Sequence, residues 1–223
     1  MNVFILCTGR CGSMSIIRAC NELDNYTSGH ETRITKLGDA RINFPENHIE
    51  ADNRLAWFLG RLDEKYGNDA FYVHMTRDTN KTAQSYNIRW QHVGSIIKAY
   101  TQGILTTPYQ IISPSERIKY SLDYCETIDS NIKHFLKDKD KKCTIALESL
   151  EEDFLKFWDL IGAKGDQKMA LLALNERHNA SRLSNSDFTY KLWKTKHLPR
   201  LKNEKNIFAL ELHEEVVIWR HKN

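Results

Sequence analysis

Residues 2–18 read Asn-Val-Phe-Ile-Leu-Cys-Thr-Gly-Arg-Cys-Gly-Ser-Met-Ser-Ile-Ile-Arg. The apolar run from Val3 to Leu6 predicts a short buried strand, and apolar residues return after Ser13 at helical spacing. The turn between them contains two glycines, and glycine lets a backbone approach an anion closely. Because the free N–H groups at a helix N-terminus attract anions, this stretch predicts a phosphate-binding loop. An ordinary strand-to-helix turn is the alternative, since one short glycine loop is a weak signal.

The composition is typical of a soluble globular chain with one domain over residues 1–223, in which 41% of residues are hydrophobic and 27% charged. A net charge of +3 is too small to argue for a nucleic-acid partner, but it suits an anionic small ligand. No stretch approaches the roughly 18 to 20 apolar residues of a membrane span. The chain begins on a predicted core strand, so we expect no signal peptide.

The five cysteines form no Cys-x-x-Cys pair. Their odd number and apolar surroundings argue against a disulfide framework and for a reducing compartment, so the expected location is the cytoplasm. The nine histidines are scattered and the cysteines lack ligand spacing, so no metal site is expected.

Residues 70–75 and 143–147 have the apolar pattern of buried strands, and residues 26–30 are expected to form a further short strand. Helical patterns separate the strands. Two of them cover residues 53–66 and 167–176, and three others begin at about residue 79, at residue 115 and at residue 150, the last after a capping box at Ser149. Residues 32–52 are polar and contain Pro45, so we expect them to be irregular.

Buried strands separated by helices predict right-handed crossovers and an α/β fold with three layers, α/β/α, around a central parallel sheet. Ligands bind at the carboxyl ends of the strands in such sheets. This rule places Thr8 to Ser13, the pair His30-Glu31 and the pair Arg77-Asp78 along one edge.

The first loop differs from the GxxxxGK[ST] loop of nucleotide triphosphatases. Gly9 and Gly12 are three residues apart, and no lysine precedes a serine or threonine where Mg²⁺ would be held. Arg10 lies inside the loop instead, where a guanidinium can stabilise negative charge on a leaving group. An exposed loop arginine without a function is the alternative interpretation.

A second pattern consists of Arg77 and Ser85, eight residues apart. Arg77 is expected at a strand end and Ser85 in the early turns of the next helix. An arginine fork and a hydroxyl in one groove can bind a phosphate together. Arg77 paired with Asp78 or another carboxylate is the alternative.

Together the two patterns resemble the sulfotransferases that use 3′-phosphoadenosine 5′-phosphosulfate (PAPS). The first pattern looks like the family's 5′-phosphosulfate loop and consists of Thr8, Gly9, Arg10, Cys11, Gly12, Ser13, Met14 and Ser15. Arg10 stands where the family has a catalytic lysine or arginine, while Arg77 and Ser85 match its 3′-phosphate motif. The resemblance touches most of residues 1–165. It departs at Thr79, where the family usually has proline, and at Met14, where a small hydroxyl residue is frequent.

The resemblance implies a P-loop-like sulfotransferase fold and an enzyme that transfers a sulfuryl group from PAPS to a hydroxyl or amine. The acceptor would be a small molecule or a glycan, the nucleotide product 3′,5′-adenosine bisphosphate, and no metal would be needed. Such a transfer requires a base near the acceptor. Glu31 is the favoured base and His30 a close rival, with Glu50 third. A salt bridge or helix cap for Glu31, and a structural hydrogen bond for His30, are the alternatives.

Two other functions stay open. One is a P-loop nucleotide kinase or hydrolase, and the other is a non-catalytic nucleotide-binding protein without a working base. The sequence determines neither the acceptor nor the oligomeric state, and residues 178–205 show no motif to which a role can be assigned.

Overall fold

A sheet of parallel strands forms the centre of the computed structural model, which describes residues 1–92 and 94–175. The described strands are β1 Val3–Cys7, β2 Thr27–His30, β3 His48–Ala51, β4 Phe71–Thr76 and β5 Lys142–Ala146. Their order is β2-β3-β1-β4-β5, and all four neighbouring pairs are parallel. This confirms the predicted α/β fold with a central parallel sheet.

Helices cover both faces of the sheet. They are α1 Ser13–Cys20, α2 Leu59–Tyr66, α3 Thr79–Ile88, α4 Ile96–Ala99, α5 Arg117–Phe135, α6 Leu150–Leu160 and α7 Gln167–Asn175. Side chains of β1 alternate between two cores, as the pleat requires. Val3 and Ile5 pack with α1, α6 and α7, whereas Phe4 and Leu6 pack with α2, α3 and α5.

The register of the strands brings their carboxyl ends to one edge. Cys7 at the end of β1 lies opposite Met75 in β4, and His30 at the end of β2 lies opposite Ala51 in β3. The loops that follow β1, β2, β3 and β4 are therefore neighbours, and the central position belongs to the loop after β1.

The prediction of an irregular segment over residues 32–52 is wrong at its end, because residues 48–51 form β3 and all four are buried. The sequence His-Ile-Glu-Ala lacks the apolar run of a buried strand. His48 and Glu50 satisfy each other inside the protein instead, with Nε2 and Oε2 at 2.9 Å. A polar pair with its hydrogen bond made is tolerated in a core, and apolar patterning does not detect it.

Two local predictions differ in detail. The helix expected over residues 53–66 is a 3₁₀ turn, Asn53–Trp57, followed by α2. The capping box at Ser149 does not form, because Ser149 Oγ donates to Asp153 Oδ2 at 2.6 Å instead. Asp153 Oδ2 also accepts the N–H of Ala146.

Residues 178–205, to which the sequence assigns no role, lie outside the described residues, and one domain over residues 1–223 stays a prediction. Within the described part of the chain, every helix is too short or too polar to pass through a lipid bilayer.

Candidate functional site

The loop between β1 and α1 has an unusual backbone. Gly9, Arg10 and Gly12 have φ angles of +83°, +59° and +95°. Glycine adopts such angles freely, but arginine rarely does, and strained residues of this kind concentrate at functional sites. Left-handed residues within a turn direct N–H groups to one side and form concave anion sites.

Helix α1 begins at this loop without a cap. Gly12 occupies the N-cap position, none of the side chains that the structure describes caps the helix, and its first turn contains no acidic residue. The partial positive charge of the helix N-terminus is therefore not neutralised by the helix itself. A Cβ at Gly12 would lie 2.7 Å from Leu147 Cδ1 and 3.2 Å from Met75 Cε, so glycine fits this tight packing best.

Three side chains hold the carbonyl of Thr8, the first residue of the loop. Tyr86 Oη donates to it at 2.5 Å, Tyr124 Oη at 3.0 Å and Asn53 Nδ2 at 3.5 Å. Burial raises the pKa of both tyrosines, so both hydroxyls keep the protons that they donate. These contacts from three separate segments fix the loop, and a Cβ at Gly9 would lie 2.5 Å from Tyr86 Oη.

The arginines and the serine of the two sequence patterns meet at this edge of the sheet. Arg10 Nε donates to Ser85 Oγ at 3.1 Å, and Arg77 Nη1 donates to the Arg10 carbonyl at 2.8 Å. Asp78 does not pair with Arg77 but caps α3, where its Oδ1 accepts the N–H of Lys81 at 2.8 Å. The predicted juxtaposition of Arg10, Arg77 and Ser85 is thus present in the structure.

Positive charge accumulates around Arg10. Burial is the main cause that lowers the pKa of Arg10, and the charges of Arg89 and Arg77 lower it further. An arginine nevertheless stays protonated in a protein, so this is a cluster of three cations. Sequence reasoning missed Arg89, although its position four residues after Ser85 was a usable signal.

The remaining loop residues contribute mainly through their backbone. Thr8 Oγ1 donates to the Gly9 carbonyl at 3.1 Å, and the Ser15 N–H donates to the Gly12 carbonyl at 2.9 Å. Met14 is the second residue of α1. None of these three side chains supplies a charge to the loop.

Cys11 is fully buried and forms a hydrogen bond with Cys7. That bond and the N–H groups of Ser13 and Gly9 lower the pKa of Cys11, whereas the same bond and burial raise the pKa of Cys7. Cys11 is therefore part of the hydrophobic core beneath the loop.

The two favoured base candidates lie beside the loop, and each already has a partner. His30 Nε2 and Ser13 Oγ are 3.0 Å apart. Glu31 has a φ of +54°, and its Oε2 lies 3.0 Å from Nη1 of Arg54. The Glu31 and Arg54 side chains are 30% and 28% exposed, so the pair can exchange with a ligand.

Glu50, the third candidate, is fully buried and both of its oxygens accept hydrogen bonds. Oε1 accepts the N–H of Thr32 at 2.7 Å, while Oε2 accepts from Thr32 Oγ1 at 2.8 Å and His48 Nε2 at 2.9 Å. These contacts join β3 to the turn after β2 and favour a structural role for Glu50 over catalysis.

Asp52 follows β3 and forms a buried ion pair with Arg41, with Oδ2 and Nη2 at 2.5 Å. Its Oδ1 accepts the N–H of Arg54 at 2.8 Å. Burial raises the pKa of Asp52, and the neighbouring Arg41 opposes that shift. Arg41 Nη1 has no hydrogen-bond partner among the described residues, which leave the pair incompletely satisfied.

The described residues include no group of three or more His, Cys, Asp and Glu side chains placed to hold a metal ion. No family model matches the chain, and no curated protein matches it. The geometry of the loop and of the arginines beside it is therefore the basis for a functional proposal.

Proposed function

We propose that this protein is a PAPS-dependent sulfotransferase with a P-loop-like fold that works in the reducing cytoplasm, where its five free thiols are stable. One observation carries the proposal. Arg77 and Ser85 lie 67 and 75 residues after Arg10 in the sequence, yet both bond to Arg10 at the loop after the central strand. Two separate anion-binding patterns thus meet at one site, as a nucleotide with two phosphorylated positions requires.

The charges of the site fit such a donor. Neither Arg10 nor Arg77 forms an ion pair within the described part of the chain. The loop N–H groups and the start of α1 would bind the 5′-phosphosulfate, and Arg77 with Ser85 would bind the 3′-phosphate. Arg10 would counter the charge that develops on the leaving phosphate.

The reaction is a single displacement at sulfur. The acceptor oxygen or nitrogen forms a bond to sulfur while the bond from sulfur to the bridging phosphate oxygen breaks. The acceptor proton passes to a base, and 3′,5′-adenosine bisphosphate leaves. Glu31 or His30 would take that proton once the acceptor has displaced Arg54 or Ser13 from it.

Calorimetry with 3′,5′-adenosine bisphosphate and with ATP–Mg²⁺ tests the class of nucleotide. We expect the bisphosphate to bind at least about tenfold more tightly. Its 3′-phosphate adds charge-assisted hydrogen bonds to Arg77 and Ser85, whereas ATP has only a hydroxyl at the 3′ position. Tighter binding of ATP–Mg²⁺ would contradict the proposal and favour a P-loop kinase or hydrolase.

Radiolabelled PAPS with a panel of sugars, lipids, phenols, peptides and small metabolites tests the transfer and identifies the acceptor. We expect Glu31→Gln to slow transfer by about 10² or more while changing bisphosphate affinity less than about twofold. His30→Ala tests the rival base in the same assay, and exposed Glu46→Gln is the matched control. Wild-type rates in both variants would place the base elsewhere.

A nucleotide-binding protein without transfer activity is the second candidate function. The observation in its favour is that both base candidates are engaged, Glu31 by Arg54 and His30 by Ser13. Tight bisphosphate binding without sulfuryl transfer to any acceptor in the panel would support this second candidate.

A further inference from the structure

Arg89 lies outside both sequence patterns but on the same helix as Ser85. It is the C-cap residue of α3 and follows Ser85 by four residues. Residues four apart in a helix lie on the same face, one turn from each other. Ser85 Oγ accepts a hydrogen bond from Arg10, so this face of α3 is directed at the loop.

Arg89 is partly buried and lies one helical turn from Ser85, the residue that Arg10 contacts. Its charge is a larger cause of the lowered pKa of Arg10 than the charge of Arg77, which itself contacts the Arg10 carbonyl. Arg89 thus belongs to the same cationic cluster, on the side where Ser85 lies.

No carboxylate of the described residues lies within ion-pair distance of Arg10, Arg77 or Arg89. Asp78, which follows Arg77 in the sequence, and its partner Glu148 both form hydrogen bonds to backbone N–H groups. Asp78 Oδ1 accepts from the Lys81 N–H, and Glu148 Oε1 accepts from the Asp78 N–H.

An arginine at a helix C-terminus is stabilised by the helix dipole, which accounts for one cation at this position. It does not account for three guanidinium groups near one another, because like charges repel and this repulsion is stronger where the groups are partly buried. A bound group with two negative charges removes the repulsion.

We propose that Arg89 is a specificity residue that binds the 3′-phosphate of the donor nucleotide together with Ser85 and Arg77. This inference rests on the proposed function. A phosphate monoester carries about −1.5 to −2 charges at neutral pH and offers three acceptor oxygens. Two arginines and a hydroxyl match that group, whereas a free ribose hydroxyl at the same position would leave both cations without a counterion. Arg89 therefore helps to distinguish nucleotides that carry a 3′-phosphate from those that do not.

The test is calorimetry of Arg89→Gln with 3′,5′-adenosine bisphosphate and with adenosine 5′-monophosphate. We expect the Kd for the bisphosphate to rise about tenfold, as for loss of one charged hydrogen-bond donor, while the Kd for the monophosphate changes less than about twofold. Arg89→Lys keeps the charge but not the fork of donors, so its Kd for the bisphosphate should lie between those of wild type and Arg89→Gln. Arg18→Gln, at the far end of α1, is the matched control and should bind both nucleotides as wild type does.

The outcomes separate this inference from the proposed function. If wild type binds the bisphosphate no more tightly than the monophosphate, the proposed function and this inference both fail. If wild type prefers the bisphosphate but Arg89→Gln keeps that preference in full, only the role of Arg89 is overturned. An equal loss of affinity for both nucleotides would overturn it too, because that result assigns Arg89 to the loop and not to the 3′-phosphate.

Discussion

Two regions at the carboxyl edge of the sheet differ in whether their charged side chains form ion pairs. The cationic region contains Arg10, Arg77 and Arg89, none of which has a carboxylate partner within the described part of the chain. The paired region, around the ends of β2 and β3, contains Glu31 and Asp52, which form ion pairs with Arg54 and Arg41.

This difference shows where a ligand is needed. In the paired region each charge has a protein partner, so the residues there stabilise the fold and hold the base candidates in place. In the cationic region, no carboxylate from residues 1–92 or 94–175 supplies the opposite charge. Because partly buried cations are costly without partners, we propose that a bound anionic ligand completes this region. The predictions below test that division of roles.

The largest expected effect belongs to the paired region. Asp52→Ala should lower the free energy of unfolding by about 3–5 kcal/mol, because it leaves the charge of Arg41 buried without a partner. Asp39→Ala is the matched control, since Asp39 pairs with Arg61 but is 97% exposed, and should cost no more than about 1 kcal/mol. Urea unfolding measures both, and equal losses would remove the distinction between buried and exposed pairs.

Next in size is stabilisation by ligand. At a concentration about 100 times its Kd, 3′,5′-adenosine bisphosphate should raise the free energy of unfolding by about 2.7 kcal/mol. Adenosine at the same concentration is the control and should have little effect, because it carries no phosphate for the cationic region. Urea unfolding with each compound measures this, and equal stabilisation by adenosine would contradict the anionic nature of the site.

Arg77→Gln should weaken bisphosphate binding by about 2 kcal/mol, which is roughly 30-fold. It should also lower the free energy of unfolding by about 1 kcal/mol, because the hydrogen bond to the Arg10 carbonyl is lost. Calorimetry and urea unfolding measure the two effects. Arg61→Gln, in an exposed pair, is the control and should change neither quantity by more than about 1 kcal/mol. A large loss of stability with unchanged affinity would assign Arg77 to the fold instead.

The smallest effect concerns the support beneath the loop. Tyr124→Phe should lower the free energy of unfolding by about 1 kcal/mol, since the Thr8 carbonyl keeps Tyr86 and Asn53 as donors. Bisphosphate affinity should fall slightly as well, because the loop is less firmly held. Tyr26→Phe loses a comparable bond, to the Ile161 carbonyl, and should leave the affinity unchanged. Equal affinities of the two variants would show that this support does not affect binding.

Much of the fold follows from local patterns. The apolar runs at β1, β4 and β5 and the helical spacing of α1 and α5 predict those elements, because burial imposes one period on strands and another on helices. The missed strand β3 has Glu50 and His48 where apolar residues are expected. This strand can be buried because Glu50 forms hydrogen bonds with His48 and with Thr32, and no local sequence pattern reveals those bonds.

The sequence by itself determined the strand, glycine loop and helix of residues 2–18, and the spacing of Arg77 from Ser85. The sequence also predicted that these residues share one edge of the sheet, but only the tertiary structure decided which of their atoms are in contact. The pairing of β1 with β4 brings Arg77 to Arg10, and α5 brings Tyr124 to a carbonyl 116 residues away in the chain. The physical reason is that local patterns record burial and backbone preference, whereas the partners of a charge or hydrogen-bond donor depend on sheet order and on how the helices pack.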